Sequence, residues 1–110
     1  MSNNNPKLIT GNDAKTAAEN ILIELKYYFP KHNFAVITDV GANVIDVMPE
    51  TKDISVEEIK KITTKYELWE DHDEVPRRRP KVDCSFNEIH GGTSKVFIIP
   101  PFEPKPHRIV

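Results

Sequence analysis

The chain has 110 residues, of which 38% are hydrophobic and 29% charged, with a formal net charge of −2 at pH 7. That is the length of one domain, with enough apolar side chains for a core that needs neither disulfides nor a structural metal. A lone cysteine, Cys84, excludes an internal disulfide, and the absence of any long apolar run predicts a soluble chain with neither signal peptide nor membrane span, working in the cytoplasm.

The charge is unevenly spread. Residues 1–76 carry 8 Lys/Arg against 14 Asp/Glu, and residues 77–110 carry 7 against 3. Such a split can steer a partner or draw the two halves of the chain together.

Residues 1–9 are polar and Asn-rich and read as a flexible leader. A first helix is expected from Asn12 or Asp13, both good N-caps. Ala14, Ala17, Ala18, Ile21, Leu22, Leu25, Tyr28 and Phe29 recur at helical spacing, with Lys15, Glu19, Glu24 and Lys26 mostly on the other face. Pro30 closes it, because the residue before a proline avoids the α region. Phe34–Thr38 and Val44–Met48 then read as a β-hairpin around Asp39–Asn43, with Gly41 supplying positive φ. Apolar side chains on both faces of the second strand point to a central position in the sheet.

Ser55-Val56-Glu57-Glu58 fits a capping box, and Ile54 with Ile59 fits the hydrophobic staple beside it. Ile59, Ile62, Tyr66 and Trp69 continue the apolar stripe, while Lys60, Lys61 and Lys65 face water. Residues 70–81 form a charged loop, acidic at Glu70, Asp71, Asp73 and Glu74, then basic at Arg77, Arg78, Arg79 and Lys81 between Pro76 and Pro80. Val82, Cys84 and Phe86 alternate with polar residues as a half-buried strand would, Gly91-Gly92 signals a turn, and Val96–Ile99 completes a second hairpin. Residues 101–110 are a proline-rich, extended tail. The predicted fold is α+β in the order α-β-β-α-β-β. Its two helices pack on one face of a mainly antiparallel, four-stranded sheet spanning residues 10–100.

Chemistry is sparsely signalled. Asp71-His72-Asp73-Glu74 has metal-ligand residue types, but neighbours on a loop diverge and no zinc-like spacing accompanies them. His72, His90 and His107 titrate near neutrality; a hydrolase or nuclease reading would pair His90 with Glu88. Cys84 on an alternating strand predicts a buried, inert thiol. Gly91–Lys95 lacks the following helix of a phosphate-binding loop. Pro101–Pro104 matches only a loose P-x-x-P pattern. No cofactor is implied. The sharpest candidate for partner binding is Arg77, Arg78, Arg79 and Lys81, which suits phosphate contacts or an acidic protein, or ties to the adjacent acidic run.

The segment Ala18-Glu19-Asn20-Ile21-Leu22-Ile23-Glu24-Leu25-Lys26 leads into Phe29-Pro30, followed by Phe34-Ala35-Val36, Val44-Ile45-Asp46-Val47 and Ser55–Ile59. Across Ala17 to Glu67 this order resembles the large polyvalent protein-associated domain of the twenty-ninth type. That family's members are modules of bacteriophages and conjugative elements, often inside larger proteins. The resemblance carries over no catalytic residue. It implies a mobile-element accessory protein of the bacterial cytoplasm, with counter-defence among the roles open to it. Together with the charged loop, it makes a non-catalytic module for a macromolecular partner the leading expectation. A protein is the favoured partner, and nucleic acid held by the arginines is the alternative.

Overall fold

The computed structural model describes residues 6–51, 53–71 and 78–101. Its elements run α1 (Ala14–Tyr28), β1 (Phe34–Asp39), β2 (Val44–Pro49), α2 (Val56–Thr63), a 3-10 turn (Thr64–Tyr66), β3 (Trp69–Asp71), β4 (Arg78–Pro80), α3 (Ser85–His90) and β5 (Lys95–Ile98). The chain is mixed α+β, and no described helix is long and apolar enough to cross a membrane.

Asp13 caps α1 by accepting from the Thr16 amide at 2.9 Å and the Thr16 hydroxyl at 2.6 Å. The helix ends ahead of Pro30, with the Phe29 amide still bonded to the Leu25 carbonyl. At α2, Ser55 Oγ accepts from the Glu58 amide at 3.2 Å, and Ile54 and Ile59 are both buried. The first hairpin pairs β1 and β2 antiparallel, with Val36 opposite Val47. Its left-handed turn residue is Asn43 (φ 57°) rather than Gly41, which has no positive φ. Asparagine tolerates that region better than most side chains do.

The second half departs from expectation. Among the described residues there is no four-stranded antiparallel sheet. A three-stranded sheet has the order β1-β2-β5, and β3 and β4 form a separate two-stranded ribbon. β2 is central, in keeping with its two apolar faces, and β5 joins it in parallel, with Ile45 opposite Val96. The charged stretch 70–81 therefore contributes two short strands, with Trp69 opposite Pro80. Val82–Phe86 is not a strand: α3 begins at Ser85, and Val82 is 94% exposed. Asp83 starts that helix by accepting from both the amide and the hydroxyl of Ser85.

Ala17, Ala18, Ile21 and Leu25 of α1 share one buried cluster with Ile59 and Ile62 of α2, Tyr66, and Ile45, Val47 and Val96 of the sheet. Leu22 and Tyr28 lie outside it, exposed. The α1 face also buries Asn20 and Glu24, and the latter was expected to face water. Asn20 binds both the amide and the carbonyl of Ile9 and the carbonyl of His90, so it fastens the N-terminal segment to the end of α3. On the opposite face of the sheet, Ile37, Phe97 and Ile99 are exposed.

Candidate functional site

One cleft of about 350 Å³ lies where α2, the 3-10 turn, the ribbon and β5 meet. Lys60 and Thr63–Lys65 form one wall, and Trp69, Glu70, Arg78 and Lys81 another; Lys95 and Val96 come from β5, with Glu67 between. Five cations thus face two carboxylates.

Glu67 organises the walls. Its Oε1 lies 2.8 Å from Arg78 Nη2, and its Oε2 accepts from the Val96 amide at 2.8 Å. That second bond satisfies an outward-facing N–H on the edge strand β5, where a neighbouring strand would otherwise be needed. Arg78 also donates to the Trp69 and Ser94 carbonyls, at 2.6 and 3.2 Å, and so joins ribbon to sheet. Lys81 Nζ donates to the Lys65 carbonyl at 3.1 Å. Lys65 itself is held by Glu24 at 2.8 Å. The compensated cations are therefore Arg78 and Lys65. Lys60 makes no ion pair among the described residues, and Lys95 reaches Glu67 only at 4.0 Å.

The arginine-rich patch is redistributed by this geometry. Arg77 lies outside the described residues. Arg78 is a structural tie at the cleft wall. Arg79 points elsewhere and pairs with Glu70 across the ribbon at 3.0 Å. Lys81 lines the cleft as a partner-binding residue could. Sequence reasoning misses Lys60 and Lys65, which read as a solvated face, Trp69, which reads as part of the apolar stripe, and Lys95, which falls in the Gly91–Lys95 stretch that carries no phosphate-loop context. Trp69 is not on the α2 stripe: the helix stops at Thr63, and the indole residue is 39% exposed in β3.

The other candidates separate. His72, Asp73, Glu74 and His107 lie outside the described residues, as does the tail from Phe102. His90 Nδ1 sits 3.1 Å from the Ile9 carbonyl, and its ring tilts against Phe86. Glu88 is two positions away on the same helix, a spacing that does not bring side chains together. Cys84 is half-buried ahead of α3, not in a strand. No group of three or more His, Cys, Asp or Glu that could hold a metal occurs among the described residues.

Beside the cleft, the fully buried Tyr66 donates its hydroxyl to Glu24 Oε2, and Lys65 binds Glu24 Oε1. Burial, and then the Glu24 carboxylate, push the Tyr66 phenol far above its usual value of 10.0. A folded-state value raised in this way stabilises the fold below the unfolded value, and that stability is lost as pH rises above it. Unfolding free energy should accordingly fall by about 1.4 kcal/mol per pH unit above pH ~10 from this group. Urea melts between pH 8 and 11 would show it, with the slope reduced by one proton's worth in Tyr66→Phe.

Comparison of the chain with family models, curated proteins and solved structures gave no match.

Proposed function

We propose that this chain is a non-catalytic binding module that holds an anionic macromolecular partner in the cleft between α2, the β3–β4 ribbon and β5. The observation that carries the reading is the convergence of Lys60, Lys81 and Lys95 on one cleft, beside Lys65 and Arg78, which Glu24 and Glu67 already compensate. Cations gathered without matching acids raise the local potential and favour polyanions. The resemblance of Ala17–Glu67 to a phage and conjugative-element module supports placing it among accessory proteins of the bacterial cytoplasm.

The test is a charge reversal. Lys60→Glu combined with Lys81→Glu should weaken retention on immobilised heparin at ~50 mM salt by tenfold or more, with an unchanged circular dichroism spectrum. Equal retention of wild type and double variant would remove the cleft from the account.

The exposed apolar residues Ile37, Phe97 and Ile99 on the open face of the sheet favour a second reading, a protein partner docked there. Such a partner would be lost with Phe97→Asp and kept with Lys60→Glu.

A further inference from the structure

The cleft holds an aromatic residue among its cations. Trp69 lines it with 39% of its surface exposed, and among the described residues the indole takes part in no ring stack and lies under no cation. The other rings near this region are engaged: Phe86 packs on Tyr66 at 5.1 Å, and Lys65 Nζ lies 5.2 Å from the centre of the Tyr66 ring. A large apolar ring left open to solvent beside lysines has the two parts that single-stranded nucleic acids use. Bases stack on the ring, and the backbone phosphates meet the cations. In a duplex both faces of each base are already covered, so the ring would have nothing to stack against.

We infer that the ligand of this cleft is a single-stranded nucleic acid, with one base stacked on Trp69 and neighbouring phosphates on Lys60, Lys81 and Lys95. The inference rests on the reading of the cleft as a polyanion site. Lys65 and Arg78 are occupied by Glu24 and Glu67 and shape the walls instead. Three lysine–phosphate contacts imply a log–log salt dependence with a slope of roughly −2.

Trp69 is the chain's single tryptophan, so its fluorescence reports the site directly. The wild-type chain is titrated with a deoxythymidine oligonucleotide of about ten residues, a duplex of the same length and a heparin fragment of matched charge. Labelled oligonucleotide anisotropy follows the variants. The oligonucleotide should quench the fluorescence and bind more tightly than either competitor. Trp69→Ala should lose about 5- to 100-fold in oligonucleotide affinity with heparin affinity unchanged, and Trp69→Phe should retain part of it. Lys60→Glu should weaken oligonucleotide and heparin alike and flatten the salt slope. Equal affinity for heparin, duplex and single strand, without quenching, would overturn the inference and leave the polyanion reading standing. Absence of binding to all three at ~50 mM salt would overturn both.

Discussion

Replacing Gly91 by alanine should cost at least ~3 kcal/mol and lower the melting temperature by more than ~10 °C. Gly91 follows α3 with φ 96° and ψ 158°, a region open essentially to glycine alone. Space is denied as well as conformation. An added Cβ would lie 2.4 Å from the Ala17 amide nitrogen and 2.7 Å from the Asp13 carbonyl oxygen. Those atoms form the first hydrogen bond of α1, at 3.1 Å, so yielding there would unwind the helix start beside its Asp13 cap. Set against a typical domain stability of about 5–15 kcal/mol, this is a large fraction. Gly41 provides the contrast. It lies exposed in the first turn, a Cβ there meets only Asp39 Oδ1 at 3.6 Å, and its φ is not positive. Gly41→Ala should therefore melt close to wild type. Denaturant melts of the two variants would check both outcomes, and a Gly91→Ala midpoint within error of wild type would remove this account of the residue.

The contrast between these glycines shows where sequence was informative. Elements whose cause is local were legible. The Ser55 cap on the Glu58 amide and the buried pair Ile54 and Ile59 beside it lie within six residues, and the first hairpin follows from alternation on either side of a polar turn. The second half depends on distant contacts. Gly91-Gly92 reads as a hairpin turn, yet Gly91 is needed for its close approach to the α1 backbone, and a Cβ on Gly92 would press on the Leu68 side chain. Over Val82–Phe86 the apparent period of two is too short to tell from a helix start, and the Asp83 side chain decides the matter by bonding Ser85. The parallel pairing of β2 with β5 joins segments about fifty residues apart and leaves no turn signal between them.

The site was partly legible for the same reason. Composition marks a basic run at 77–81, and of its residues Arg78 and Lys81 line the cleft. The remaining cations arrive from α2, the 3-10 turn and β5, which only the fold brings together. Glu24 and Tyr66 illustrate the limit. Helical spacing puts the Glu24 carboxylate toward water, yet it is 4% exposed because a tyrosine and a lysine from about forty residues away bind it. Helical spacing assigns a face but cannot say which polar groups will find partners on it.

Glu67→Ala should destabilise the chain by about 2–4 kcal/mol, the second largest effect expected. The carboxylate is 8% exposed and serves two groups at once. Its loss leaves the buried Val96 amide without an acceptor on the edge of the sheet and removes one carboxylate partner of Arg78, at 2.8 Å. Glu67→Gln separates the two roles. The amide oxygen can still accept from Val96, while its NH2 group faces the guanidinium donor to donor, so a smaller loss of about 1–3 kcal/mol is expected. Both variants also remove a negative charge from the cleft. Under the polyanion reading, Glu67→Gln should bind heparin more tightly than wild type while being less stable than it. A variant both less stable and less retentive would show that Glu67 holds the cleft's shape more than it tempers the cleft's charge. Chemical denaturation and heparin retention on the same preparations distinguish the two. The opposed signs are the informative part, because a general loosening of the fold would lower both.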